Sequence, residues 1–182
     1  MVTYLDGNAV EPVGEGHKII AHICNDIGAW GKGFVLAITE KYGSNSKTIY
    51  KEAIKYDKIG LGDIQLIFLC EECVEIDSKS KKKSQGIKEV KDVIKYKIVL
   101  ANMIAQHGIY KDEDGNPPIR YDSLKRCLGK LKKEAIKMNA SIHMPRIGAG
   151  LAGGDWKIIE EIINDKLEGV DVFIYNFVEG GK

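Results

Sequence analysis

Between Met144 and Trp156 the chain reads Met144-Pro145-Arg146-Ile147-Gly148-Ala149-Gly150-Leu151-Ala152-Gly153-Gly154-Asp155-Trp156, a short apolar run that enters four glycines and then an amphipathic segment. Without side chains, Gly148, Gly150, Gly153 and Gly154 let the backbone approach a ligand closely and take up positive φ. A helix starting near Trp156 would aim the positive end of its dipole at the same spot. Converging backbone N–H groups suit a phosphate, and the natural guest is a diphosphate. A plainer reading stays open beside it: a strand, a turn and a helix, with Asp155 as an ordinary N-cap. Gly148 to Gly153 also spells G-x-G-x-x-G, but a dinucleotide-binding fold needs further strands after that motif, and here one helix and one strand remain.

A second segment has the same placement between strand and helix: His22-Ile23-Cys24-Asn25-Asp26-Ile27-Gly28-Ala29-Trp30-Gly31-Lys32-Gly33-Phe34. In an open α/β sheet, ligands lie beyond the carboxyl ends of the strands, so two such loops are expected to face each other. One could hold a ribose and the other the phosphates. Asn25 offers an acceptor and donors to sugar hydroxyls, His22 could move protons near neutral pH, and Asp26 or Asp155 could accept a proton from water. Structural roles compete at each position: a hydrogen-bonded core histidine at 22, turn formation at 25 and 26, packing at Trp30. Gly31-Lys32-Gly33-Phe34 lacks the spacing and the Lys-Ser or Lys-Thr pair of a P-loop.

The elements that must position these loops follow from hydrophobic period and breakers. Val2 to Leu5 and Lys18 to Cys24 read as strands, Phe34 to Lys41 and Lys47 to Lys55 as helices. Asp63 to Cys70 and Lys97 to Met103 are nearly continuous in apolar content and predict strands covered on both faces. Tyr121 to Met138 carries Leu124, Cys127, Leu131, Ala135 and Met138 on one stripe of a helix. Ser141 to Met144 is a short strand, Ile158, Ile159, Ile162, Ile163 and Leu167 mark the helix after the glycines, and Val172 to Phe177 is a last buried strand. Strands alternating with helices predict an α/β layered domain.

At 182 residues the chain fits one domain able to bury its own core. A formal net charge of +1 neither demands a polyanionic partner nor forbids a small anionic ligand. No early run resembles a signal peptide and no stretch approaches a membrane span, so the expectation is a soluble, cytoplasmic protein with no membrane contact. Cys24, Cys70, Cys73 and Cys127 are too scattered for a disulfide framework, and Cys70-Glu71-Glu72-Cys73 lacks a second ligand pair for zinc; no metal is expected. From Lys79 to Lys97 lysines far outnumber acids, which reads as a mobile loop or hairpin at about 78–97, or as a basic patch that touches nucleic acid through Lys79, Lys81, Lys82 and Lys83.

Taken together, the two glycine-bearing segments resemble those of the macrodomains, ADP-ribose-binding α/β/α modules. His22-Ile23-Cys24-Asn25 continuing to Gly28, Trp30, Gly31 and Gly33 is similar to the first ligand loop of the ADP-ribose 1″-phosphate phosphatases and Appr-1″-p processing proteins. Pro145-Arg146-Ile147-Gly148-Ala149-Gly150-Leu151 with Trp156 is similar to their second, phosphate-cradling loop. The likeness runs from Tyr4 to Phe177 and implies a three-layer α/β/α sandwich with a central mixed sheet, a single domain over 1–182. It implies that Gly7, Asn8 and Ala9 meet the adenine, with Asn8 standing where the family commonly has an acid, and that Tyr175, Asn176 and Phe177 flank it. By the same likeness Asn25 meets the distal ribose, and Asp26, Gly31, Gly33, Phe34, Arg146, Ile147, Gly148, Ala149, Gly150, Leu151, Ala152 and Gly153 complete the ADP-ribose contacts. A related branch that removes ADP-ribose from acidic side chains or DNA bases uses a lysine and an aspartate where this chain has Gln106 and Ala152, so a lysine adduct is not expected.

The function these implications favour is hydrolysis of a bond at the distal ribose, by an ADP-ribose 1″-phosphate phosphatase or an ADP-ribosyl hydrolase, with water attack served by His22, Asn25 and Asp155. The alternatives are a non-catalytic ADP-ribose reader and an enzyme that strips ADP-ribose from nucleic acid. A monomer without a cofactor is expected.

Overall fold

Six strands and four helices alternate along the chain: β1 (Val2–Asp6), β2 (His17–Asn25), α1 (Phe34–Tyr42), α2 (Asn45–Lys55), β3 (Ile64–Ile76), β4 (Asp92–Gln106), α3 (Tyr121–Met138), β5 (Ala140–Pro145), α4 (Trp156–Lys166) and β6 (Val172–Asn176). The computed structural model describes residues 1–76 and 92–177, with side chains for 1–72 and 95–177. Lys79, Lys81, Lys82 and Lys83, where nucleic-acid contact was expected, lie outside the described residues. The sheet has the order β1-β6-β5-β2-β4-β3. Every neighbouring pair is parallel except β3 with β4.

Side-chain alternation along β2 shows why helices must cover both faces. Ile19 and Ala21 join a core built with Leu124, Leu128 and Leu131 of α3 and Ile159 and Ile163 of α4. Ile20 and Cys24 join a second core with Val35 and Ile38 of α1 and Tyr50 of α2. The two cores are the two interfaces of an α/β/α sandwich. β4 lies between β2 and β3 and is buried from Ile98 to Ala105, as its unbroken apolar run predicts.

The strand predicted from Asp63 to Cys70 departs from expectation. β3 is the outermost strand, and although Ile64 packs into the α3 side, Leu66 and Phe68 remain 36% and 55% exposed. Helix α3 does not reach far enough to cover them, so continuous apolar content here marks an edge strand and not an interior one. Both arms of this antiparallel pair are also longer than predicted, with register running from Ile64 opposite Met103 to Ile76 opposite Asp92.

Because β1, β6, β5, β2 and β4 point the same way, their last residues, Asp6, Asn176, Pro145, Asn25 and Gln106, lie along one edge of the sheet. The segments 7–16, 26–33, 107–120 and 146–155 all leave from that edge. Among the described residues, no helix is long and apolar enough to cross a membrane.

The α3 stripe supplies the stability that holds this edge together. Leu131→Ala, at a fully buried position, is expected to lower the unfolding free energy by about 2–5 kcal/mol, measured by urea denaturation.

Candidate functional site

The turn after β5 folds back on itself: Gly153 N donates to Gly150 O at 2.9 Å and Gly154 N to Gly148 O at 2.8 Å. Its glycines divide into two kinds. A Cβ on Gly148 (φ +72°) would lie 2.7 Å from Ile119 Cδ1, one on Gly153 (φ +69°) 2.9 Å from Pro117 Cβ, and one on Gly154 2.8 Å from Gly148 O. At Gly153 and Gly154 the neighbours include a proline ring and a backbone oxygen that cannot give way, while at Gly148, which meets flexible isoleucine ends, the positive φ itself favours glycine. Gly150 has nothing within 4 Å. The N–H groups of Gly150, Leu151 and Ala152 make no hydrogen bond to a described residue, and of the three Gly150 and Leu151 are exposed, so that part of the turn presents free donors.

Asp155 caps α4, its Oδ1 accepting from Lys157 N at 2.8 Å, which uses the carboxylate on the helix's own first turn. Helix α1 has Gly33 (φ +76°) at its N-cap position and no side-chain cap. Leu151 Cδ1 lies 3.3 Å from where a Cβ of Gly33 would sit. The second loop therefore touches the uncapped start of α1, and the two glycine-bearing segments meet at the carboxyl edge of the sheet.

The wall contributed by 26–33 takes its shape from Asn25. Its Oδ1 accepts from Ala29 N at 2.9 Å and Ile27 N at 3.2 Å, and its Nδ2 donates to Ala29 O at 2.8 Å. The Tyr50 hydroxyl donates to the Asn25 carbonyl from below. Both ends of the amide are thus engaged within the loop, so Asn25 holds the loop's form.

No family model matches the chain. A solved structure described as a macrodomain protein from Streptomyces coelicolor is 32% identical, with 97% of this chain and 99% of that one covered and a TM-score of 0.68. The chain belongs to the macrodomain family. A protein of unknown function from Bacteroides thetaiotaomicron is 39% identical over 98% of each chain, with a TM-score of 0.77. Among curated relatives, the mouse chromodomain-helicase-DNA-binding protein 1-like is 30% identical over 97% of this chain, which spans 18% of that protein's length. The ADP-ribose 1″-phosphate phosphatase of Saccharomyces cerevisiae is 25% identical, with 90% of this chain and 92% of that protein covered.

Within this macrodomain, His22 is buried. It is 2% exposed, its Nε2 donates to Asn102 Oδ1 at 2.6 Å, and its ring meets Trp30 edge-on with centroids 5.7 Å apart. Burial lowers its pKa to about 4, with the Asn102 bond opposing the shift. The imidazole is buried and neutral on the α1 side of the sheet, and Trp30 is core as well, its Nε1 donating to Thr39 Oγ1 at 3.0 Å.

At the β1 and β6 end, Gly7 N donates to Asn176 O at 2.9 Å, and Asn8 Oδ1 accepts from Val10 N at 3.2 Å. Asn8 therefore places one of its two acceptor lone pairs on its own turn. Ala9 and Tyr175 are buried, whereas Phe177 stands exposed beside them. Arg146 Nε donates to Asn176 Oδ1 at 2.9 Å, and its guanidinium covers the rings of Tyr4 and Trp156 at 5.7 and 5.2 Å. That guanidinium braces the turn from outside.

Two features at the other end escape a sequence reading centred on glycines. Asp26 Oδ2 accepts from His107 Nδ1 at 2.6 Å, and Asp26 Oδ1 from Gly108 N at 2.8 Å. Beside them a groove of about 350 Å³ runs between the glycine turn and the β4–α3 connection, lined by Ile109, Tyr110, Lys111, Pro117, Leu151 and Gly153 among others. The signal was present: His107 directly follows the strand residue Gln106, and Tyr110 is an aromatic in a Gly- and Pro-bearing loop, 80% exposed in the structure.

The buried imidazoles make stability depend on pH. His143, between Ser141 and Tyr175, is also held at about 4 by burial, with the charge of Lys18 adding to the shift. The unfolded chain protonates both near their ordinary 6.5 while the folded chain refuses. Stability is therefore full above about pH 6.5 and falls as pH drops toward 4, by up to roughly tenfold in the folding constant per pH unit for each imidazole. Thermal melts across pH 4–7 are expected to show this loss, and the ring C–H resonances of His22 and His143 are expected to stay flat from pH 5.5 to 8.

Proposed function

We propose that this macrodomain binds ADP-ribose in the cleft between 26–34 and 146–153 and hydrolyses a bond at the distal ribose, with ADP-ribose 1″-phosphate as the favoured substrate. The observation that carries the reading is the closure of Leu151 onto the uncapped start of α1. It brings the turn that carries the unbonded N–H groups of Gly150 and Leu151 next to a helix N-terminus, two sources of partial positive charge that suit a diphosphate. Exposed Phe177, with Gly7 and Asn8 beside it, offers a flat apolar surface for adenine at the β1 and β6 end. The sheet order then carries the distal ribose toward the β2 and β4 end, under Asp26. The likeness to the yeast ADP-ribose 1″-phosphate phosphatase supports the same substrate class.

In this reading Asn25 acts through the loop it shapes, and Asp155 acts by fixing the start of α4 behind the turn. Gly31, Gly33, Phe34, Ala149 and Ala152 contribute backbone to the walls. His22 is assigned to the core, so the proton transfer expected of it falls to another group.

Calorimetry with ADP-ribose is expected to give a micromolar dissociation constant, and the absence of heat or thermal stabilisation at millimolar ligand would refute the binding site. Gly150→Glu, introduced where a side chain meets open space, is expected to weaken binding at least about tenfold by repelling the diphosphate, with the melting temperature unchanged. Incubation with ADP-ribose 1″-phosphate, ADP-ribosylated protein and ADP-ribosylated DNA, followed by NMR, tests hydrolysis. Release of ADP-ribose from none of them would leave a reader of ADP-ribose.

A further inference from the structure

We infer that His107 and Asp26 form the acid–base dyad of this site, His107 exchanging the proton at Nε2 and Asp26 positioning it. The inference rests on the reading that ADP-ribose occupies the cleft. Its basis is the geometry at the ends of two adjacent strands. Asn25 of β2 pairs with Gln106 of β4, so Asp26 and His107 are the next residue of each strand, and Asp26 N is itself tied to Gln106 O at 3.0 Å. Both carboxylate oxygens of Asp26 are committed, Oδ2 to His107 Nδ1 at 2.6 Å and Oδ1 to Gly108 N at 2.8 Å. The backbone of His107 is held as well, its N–H donating to Pro118 O at 2.8 Å. The carboxylate is mostly covered at 18% exposure, while the His107 side chain is 58% exposed.

A carboxylate that accepts from Nδ1 fixes the tautomer, so the lone pair of Nε2 is left for a reacting group. This is a base with its orienter in place. Its position fits the substrate. Strand β5, which leads into the glycine turn, adjoins β2 on one side, and β4 adjoins β2 on the other. The dyad therefore lies beyond the phosphate cradle by about one to two strand spacings of roughly 4.8 Å each, in the direction away from β1 and β6. A nucleotide sugar laid along this edge with its base at β6 reaches the dyad with its distal ribose.

In the step this permits, Nε2 takes a proton from water as the water oxygen bonds to the anomeric carbon C1″. The bond from C1″ to the substituent oxygen breaks, its electron pair goes to that oxygen, and the proton held on Nε2 passes to the departing group or to solvent. One water is consumed, and ADP-ribose and a free acid are formed. A phosphate or carboxylate is the leaving group that suits this arrangement, since Lys111 lines the groove beside the dyad.

The test compares the full chain with His107→Ala, His107→Gln and Asp26→Asn, using ADP-ribose calorimetry, turnover of ADP-ribose 1″-phosphate and ADP-ribosylated protein, and nitrogen-15 NMR of the imidazoles. Both His107 variants are expected to keep the melting temperature and ADP-ribose affinity while losing about 10²–10⁴-fold in kcat, and added imidazole is expected to restore part of the turnover of His107→Ala. Asp26→Asn is expected to lower kcat with KM unchanged and to shift His107 from the Nδ1–H tautomer to a mixture. Wild-type turnover in His107→Ala, or an Nε2–H tautomer in the native protein, would overturn the dyad. A wild-type chain that binds ADP-ribose but cleaves neither substrate would overturn it too while leaving the binding site standing, whereas absence of ADP-ribose binding would fail the site itself.

Discussion

Five mutually parallel strands, β1, β6, β5, β2 and β4, bring the candidate site into being. Parallel pairing forces each connection to cross a face of the sheet, so helices must cover both faces and the carboxyl ends must gather at one edge. Segments distant in sequence then become neighbours. Gly7 is hydrogen-bonded to Asn176, Asp26 to Gln106, and Arg146 through Asn176 to Asp6. Each loop at that edge is tied down at its root by the strand beside it.

Rigidity below the edge comes from polar groups satisfied in the core. His22 donates to Asn102, and Asn102 Nδ2 donates to Gln65 Oε1 at 3.0 Å, a line of hydrogen bonds across β2, β4 and β3 beneath the 26–33 loop. Lys18, almost wholly buried, pairs with Glu72. Among the described residues no buried side-chain polar atom lacks a partner. Such groups are costly to bury unpaired and specific in direction once paired, so they define one register and one loop root instead of several.

Much of the fold was legible because its signals are local. The stripe from Leu124 to Met138 predicts α3 at its observed ends, and the glycines after Met144 predict a turn between β5 and α4. Asp63 to Cys70 was legible as a strand but not as an edge, because an apolar run reports burial only once its neighbours are known. His22 illustrates the same limit at the site. A histidine at a strand end suits proton transfer or core hydrogen bonding equally well, and only the parity of β2 decides that this one faces Trp30 and Asn102.

Local chemistry along the chain was enough to establish an α/β alternation, two glycine-bearing loops and the macrodomain likeness, since helical stripes, strand runs and turn residues act over a few neighbouring positions. Tertiary structure alone decided what each polar group does. It made two of the four glycines packing necessities, set Asp155 as the cap of its own helix, left α1 uncapped beside Leu151, and joined Asp26 to His107 across 81 positions. The reason is that hydrogen bonding and desolvation depend on which groups meet in space, and strand pairing sets those meetings at separations no local pattern spans.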